Sequence, residues 1–190
     1  MTRFLFTILL CLAVCARADE QTSKHRLIGL SAPERIGDLH QMMESLTDIK
    51  LVSLDADAAE ITLSYDWKTL FPTYPPKKPA PTAEEIEKRL NDVIGIACAH
   101  TFSLKPLSVV PKDKLTKIEI SIGILDCKAC RFAAYNSVAT IDGVERASIE
   151  PKTGVLSVWI DAAKTNREDL EKALKKVRVE LPGKQAADPR

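Results

Sequence analysis

The chain has 190 residues, with 27 Lys and Arg residues against 26 Asp and Glu residues. This near balance of charge gives no electrostatic basis for binding nucleic acid or an anionic membrane surface. The length suits two small domains or one domain of middle size, and beyond the first residues no apolar stretch is long enough to span a bilayer.

The first 18 residues are typical of a signal peptide. Arg3 precedes an apolar run over residues 4–15, and residues 16–18 read Ala-Arg-Ala, the pattern of a cleavage site. The run is too short for a stable membrane anchor. A lipid anchor on Cys15 is the alternative, but Val14 is an unusual neighbour for an acylated cysteine. We therefore expect an exported protein, either periplasmic or secreted.

Residues 24–108 predict a first module with the element order βαββαβ. Alternating apolar and polar side chains indicate the strands, and apolar residues at helical spacing indicate the helices. Pro33 is favoured in a first helical turn, and Gly95 is a typical helix end. The predicted elements are a strand over 25–32, a helix from Pro33, strands over 49–54 and 59–65, a helix over 84–94 and a strand over 99–104.

A Pro-rich insertion over residues 67–81 interrupts this module. Its five prolines cannot continue a strand ladder and favour an extended loop. Two interpretations stay open for its aromatic residues, Trp67, Phe71 and Tyr74. They pin the loop to its own domain, which is the commoner arrangement, or they form a ridge that a partner protein contacts.

The first half contains side chains of the types that bind metal ions, namely two isolated histidines and one Cys-His pair. Cys98 and His100 lie on the predicted last strand, where their side chains would point to the same face. They could ligate a metal ion together or supply a third ligand, although apolar neighbours favour a buried Cys98. His25 and His40 have no partner at ligand spacing, and the methionines beside His40 are typical of core residues. We assign no function to either histidine.

After a linker over residues 105–114, residues 116–181 predict a second module of the same order. A strand over 117–122 leads into the CxxC pair Cys127 and Cys130, and a helix begins near Cys130. The remaining predicted elements are a strand within 142–149, a turn at 151–154, a strand over 155–160, a helix over 167–176 and a strand over 177–181. Residues 182–190 are predicted to be a flexible polar tail.

The placement of the CxxC pair has a chemical consequence. A thiol at the start of a helix lies beside unpaired N–H groups and the positive end of the helix dipole, which lowers its pKa. Two thiolates separated by two residues can bind one metal ion, and thiolates prefer soft ions. A structural zinc site needs four ligands. Two thiols alone therefore favour Cu(I) or, alternatively, a redox disulfide.

The second half resembles the heavy-metal-associated domain, the fold of small copper chaperones, periplasmic mercury-binding proteins and the N-terminal modules of metal-pumping ATPases. Members usually carry a GMxCxxC loop, followed by a Gly-Val pair and a Thr-Gly hairpin. Both cysteines are in register here, and Leu125 and Ile124 take the places of the Met and the Gly. The later matches are Gly143, Val144, Thr153 and Gly154.

The resemblance implies an α+β protein of two tandem ferredoxin-like βαββαβ modules. It also implies that Cys127 and Cys130 bind Cu(I), or another ion such as Hg, Zn or Cd, and exchange it with a donor or acceptor protein. The first module is then a degenerate copy, in which Ala32 and Arg35 take the two thiol positions. The positive charge of Arg35 would repel a cation there.

Lys175 and Lys176 end the last predicted helix. Lysines at a helix C-terminus complement its dipole, which accounts for both residues without a further role. The resemblance adds a second role, in which a basic residue near this point tempers the negative charge of a bis-thiolate metal site.

Two other functions compete with metal binding. Removal of the signal peptide leaves three of the five cysteines, so a disulfide between Cys127 and Cys130 would leave Cys98 over. Such a disulfide would suit a protein-interaction scaffold. A thiol-disulfide oxidoreductase is the third alternative. Enzymes of this class need a proline-bearing strand opposite the CxxC pair, whereas Pro151 lies in a predicted hairpin turn. No GxSxG, HExxH, P-loop or GxGxxG motif occurs, so we expect no enzymatic activity.

Overall fold

The computed structural model describes residues 20–179 and residue 181. The predicted signal peptide, residues 1–18, and the predicted tail, residues 182–190, lie outside the described residues. Within the described chain, the strands form two antiparallel sheets that are connected by helices. No helix in this part is long and apolar enough to cross a membrane.

The first sheet has four strands. Its strand order, β2-β3-β1-β4, is antiparallel throughout and is that of a ferredoxin-like fold. Apolar side chains of the strands and of the two long helices share one core. The elements are β1 (Gln21–Ile28), α1 (Arg35–Glu44), β2 (Ile49–Asp55), β3 (Glu60–Tyr65), the one-turn helix α2 (Trp67–Leu70), α3 (Ala83–Ala97) and β4 (Ser103–Lys105).

The second sheet has three strands in the order β5-β7-β6. Side chains from two helices and from one face of the sheet form a second core. The elements are β5 (Thr116–Ser121), α4 (Lys128–Ala139), β6 (Val144–Glu150), β7 (Val155–Ile160) and α5 (Arg167–Lys176). The two sheets confirm the predicted α+β fold class with ferredoxin-like modules.

Local sequence explains where α3 and α5 begin. Thr82 and Glu85 form a capping box, in which each side chain accepts a hydrogen bond from the backbone N–H of the other, at 3.2 and 2.8 Å. The Asn166 side chain accepts hydrogen bonds from the N–H groups of Glu168 and Asp169. These contacts satisfy backbone donors that the first helical turn cannot pair internally.

The described residues of the range 177–181 do not form the predicted strand. The N–H of Val179 bonds to the carbonyl of Leu174 at 3.2 Å, and Arg178 has a φ of 61°. This is the hydrogen-bonding pattern with which helices commonly end, and it turns the chain away from an extended path. Residue 180 lies outside the described chain, and Val179 is buried in the second core.

Gly95 does not end its helix, because α3 continues to Ala97. The His100 ring packs against it, and a Cβ atom at this position would lie 2.6 Å from His100 Nδ1. Ala99 and His100 have φ values of 50° and 59°, so residues 98–100 form a turn. The strand predicted over 99–104 is therefore shorter and begins only at Ser103.

The predicted insertion over residues 67–81 starts with the helix α2 and not with a loop. The Trp67 and Phe71 rings each meet the Tyr74 ring edge-on at 5.7 Å, and both pack against the first core. The Tyr74 hydroxyl also donates a hydrogen bond to the Pro79 carbonyl at 3.0 Å. These contacts support the interpretation in which the aromatic residues pin the loop to its own domain.

The two modules contact each other through the loop that follows β1. The N–H of Gly29 donates a hydrogen bond to the buried Tyr135 hydroxyl at 3.0 Å. The N–H of Ile149 donates one to the carbonyl of Ser31 at 2.8 Å. The end of β1 adds an ion pair between Arg26 and Glu145. The first module thus lies directly against α4 and β6 of the second.

The turn between β6 and β7 lies against the end of β5. The N–H of Ile122 donates a hydrogen bond to the Gly154 carbonyl at 2.9 Å. Gly154 has a φ of 64°, and a Cβ atom there would collide with the carbonyl group of Gly123. Only glycine fits this position, which therefore fixes the path of the chain as it leaves β5.

We expect Gly154→Ala to lower the free energy of unfolding by at least about 1 kcal/mol, because a non-glycine residue is strained at this φ. The matched control is Gly37→Ala in α1, where an added Cβ meets no atom within 4 Å. That substitution should stabilise the protein by about 0.5–1 kcal/mol, since alanine is the better helix former. Urea denaturation of both variants checks the pair, and equal effects would contradict the assigned role of Gly154.

Candidate functional site

The CxxC pair lies where the chain passes from β5 into α4. Cys127 is the N-cap residue of α4, and Cys130 lies in the first turn. The helix therefore begins at Lys128, slightly before the predicted start near Cys130. Both cysteines are free and exposed. This position brings the thiols to the end of a helix whose backbone N–H groups point toward them.

Cys127 acts as the cap of α4. Its Sγ accepts a hydrogen bond from the N–H of Cys130 at 3.4 Å. Serine, threonine, aspartate and asparagine commonly fill this position, because their oxygen atoms accept a bond from the first helical turn. A thiolate can accept the same bond and gains from the positive end of the helix dipole.

The two thiols have opposite pKa shifts. The hydrogen bond between the side chains of Cys127 and Cys130 lowers the pKa of Cys127 and raises that of Cys130. The backbone N–H of Cys130 and the positive charge of Arg131 lower the pKa of Cys127 further. Cys127 is therefore the first of the two thiols to lose its proton.

Arg131 is a site residue that the sequence analysis missed. Its guanidinium donates hydrogen bonds to the carbonyls of Leu125 and Asp126, at 2.6 and 3.2 Å. It also pairs with the Glu34 carboxylate of the first module at 3.1 Å. The only signal in the sequence is a basic residue directly after the second cysteine, and this position gives no indication of its partners.

Cys98 and His100 do not join this site. Cys98 is the C-cap residue of α3, packs against the first core, and its Sγ accepts a hydrogen bond from the N–H of Phe102 at 3.3 Å. Across residues 20–179 and 181, no group of three or more His, Cys, Asp and Glu side chains could hold a metal ion. The prediction that Cys98 and His100 share one face of a strand is wrong, because they lie in a turn.

The two unassigned histidines have different surroundings. His25 is buried, with its Nε2 atom 2.7 Å from Ser23 Oγ and its Nδ1 atom 3.3 Å from Glu87 Oε2. His40 is exposed on α1, whereas the neighbouring methionines are buried in the first core. Lys175 and Lys176 are exposed in the last turn of α5, where they complement the dipole.

The loop of the first module that precedes α1 is packed and not open. Ala32 is buried. The Arg35 guanidinium lies 4.3 Å from the centre of the Phe102 ring, donates a hydrogen bond to the Gly29 carbonyl and pairs with Asp38. Ala32 and Arg35, which take the two thiol positions in the first module, therefore contribute to packing.

No protein-family model matches the chain, and no curated protein matches it. Among solved structures, the chain is similar to the water-soluble region of the P-type ATPase CopA from Bacillus subtilis. The sequence identity is 14%, the match covers 91% of this chain and 99% of that chain, and the TM-score is 0.34. A similarity this low does not establish a shared fold. The ferredoxin-like fold is shown instead by the strand order of the first sheet.

We expect Cys127 to react with a limiting amount of iodoacetamide before Cys130, because the thiolate is the reactive form. Below the usual pKa of a thiol, the lowered pKa of Cys127 preserves its thiolate, while the raised pKa of Cys130 suppresses its own. The preference should fade as the pH rises above both values.

Trypsin cleaves after Lys128 and Arg131, so the two cysteines fall in separate peptides that mass spectrometry can quantify. The unfolded protein is the control, in which both cysteines should react alike. Equal labelling in the folded protein, or faster labelling of Cys130, would contradict the assigned order of the two pKa values.

Proposed function

We propose that this protein binds Cu(I) outside the cytoplasm through the thiolates of Cys127 and Cys130 and transfers or sequesters it. The observation that carries the proposal is the pair of free, exposed thiols at the start of α4. Export, to a periplasm or to the medium, is inferred from residues 1–18 of the sequence.

The ligand set favours Cu(I) among the candidate ions. Thiolates prefer soft ions, and two ligands cannot complete the tetrahedral shell of a structural zinc ion. Among the described residues, no group of three or more His, Cys, Asp and Glu side chains could hold a metal ion. Hg, with the same preference for thiolates, is the next candidate, and Zn and Cd would need ligands from elsewhere.

The surroundings of the thiols suit the charge of such a site. Two thiolates and one Cu(I) ion carry a net charge of −1, which the N-terminus of α4 and the Arg131 guanidinium stabilise. Binding releases the protons of the thiols, and the lowered pKa of Cys127 reduces the cost of the first release.

The exposure of the loop supports exchange of the ion with another protein. Both cysteines are exposed, and Ile124 beside them has 64% of its surface accessible. A donor or acceptor protein can therefore reach the ion directly and find an apolar contact next to it. No catalytic step is part of this proposal.

We expect Cys127→Ser and Cys130→Ser each to weaken Cu(I) binding by more than about 100-fold, beyond the range typical of outer-shell partners. The measurement is a titration of the reduced protein with Cu(I) against a competing chelator. Cys98→Ser is the matched control and should bind like the wild type, because its thiol is hydrogen-bonded within the first module.

Two results would overturn this assignment. If the double variant Cys127→Ser/Cys130→Ser binds Cu(I) as tightly as the wild type, the site lies elsewhere, and Cys98 with His100 becomes the pair to study. If the protein from its own compartment carries a Cys127–Cys130 disulfide that resists reduction, the scaffold alternative replaces metal binding.

A further inference from the structure

We propose that the first module holds the loop that carries the CxxC pair in position, through the ion pair between Glu34 and Arg131. We call this restraint the brace. The consequence for metal affinity rests on the proposed function, whereas the bracing itself concerns the metal-free protein. Glu34 and Arg131 are positioning residues in this proposal, because neither is a ligand.

The Arg131 guanidinium joins the backbone just before Cys127 to Glu34, which lies 97 positions away in the first module. One of its nitrogen atoms donates to the carbonyls of Leu125 and Asp126, and the other donates to Glu34 Oε1, at 3.1 Å. The Arg131 side chain is only 12% exposed, so its position is well enclosed. The two carbonyls belong to the residues directly before Cys127. Their orientation therefore affects the direction in which the Cys127 side chain projects from the backbone.

Glu34 is held in place by contacts that do not involve its own side chain. The loop before it is tied to the second module by the bonds from Gly29 to Tyr135 and from Ile149 to Ser31. Directly after it, the Arg35 guanidinium lies 5.7 Å from the centre of the Phe132 ring of α4. The Glu34 carboxylate therefore approaches Arg131 from a backbone that is already anchored.

Beyond its start, where Gly154 lies against Gly123, the CxxC loop has few other restraints. Gly123, Ile124 and Asp126 are exposed, and a Cβ atom at Gly123 would meet nothing within 4 Å. Leu125 is the residue of this stretch that packs against the second core. A loop that is ordered before binding loses less conformational entropy when the ion binds, so the brace should raise the affinity.

Glu34→Ala is the most informative substitution. Glu34 makes no side-chain capping bond at the start of α1, so the change removes the Arg131 contact and leaves the helix cap unaltered. Glu34→Gln is the conservative variant, because its carbonyl oxygen can still accept a hydrogen bond from Arg131. Arg131→Gln removes the other partner, and Lys128→Gln is its control, with the same loss of charge at an exposed position between the cysteines.

Bracing and simple electrostatics predict opposite results for Glu34. Loss of a carboxylate near a negatively charged bis-thiolate site would leave binding unchanged or tighter if only charge mattered. We expect Glu34→Ala instead to weaken Cu(I) binding about tenfold, the lower range for outer-shell partners of a metal site. Glu34→Gln should fall between Glu34→Ala and the wild type.

Hydrogen–deuterium exchange of the metal-free protein gives a readout that does not depend on Cu(I). We expect faster exchange over residues 123–131 in Glu34→Ala and in Arg131→Gln, and wild-type exchange in Lys128→Gln. Wild-type exchange and affinity in Glu34→Ala would overturn the proposal, as would equal effects of Arg131→Gln and Lys128→Gln. If the wild type binds no Cu(I), the proposed function fails, while the exchange experiment still decides whether the brace exists.

Discussion

The hydrogen bond from the Gly29 N–H to the Tyr135 hydroxyl is the contact on which the arrangement of the two modules depends. Burial raises the pKa of Tyr135 to about 12, so the phenol stays neutral at any physiological pH. Loss of this acceptor would leave a buried N–H unpaired, at a cost of about 1–3 kcal/mol. With the backbone bond between Ile149 and Ser31, it fixes the loop after β1 against α4 and β6.

The connection between the first strand and the first helix is packed differently in the two modules. In the first module the residues between β1 and α1 are buried from Gly29 to Ala32, where Leu30 joins the first core and Gly29 and Ser31 bond to the second module. In the second module the residues between β5 and α4 are mostly exposed, with Cys127 at their end and the exposed Cys130 in the helical turn that follows. The same connection is thus used for packing in one module and is left exposed to solvent in the other.

The sequence predicted best those features that local interactions determine. The bounds of β7 and α5 agree with the predicted ranges, because alternation in Val155–Ile160 and the Asn166 cap are local signals. Gly95 gave a wrong helix end, because the left-handed residue that ends α3 is Ala99, and an alanine gives no sequence signal for this conformation. The pair of Glu34 and Arg131, 97 positions apart, could not be predicted at all, because it depends on how the modules pack.

The loop sequence itself explains how the thiols stay exposed on an ordered backbone. Ile124 and Leu125 stand where the resembling family usually has Gly and Met, yet Gly123, one residue earlier, adopts the positive φ of 71° that favours glycine. Leu125 packs against the second core, while Ile124 points to solvent. Three features therefore hold the loop backbone against the second module: the packing of Leu125, the turn at Gly123 and the hydrogen bonds of Arg131. The side chains of Cys127 and Cys130 remain accessible from the other side.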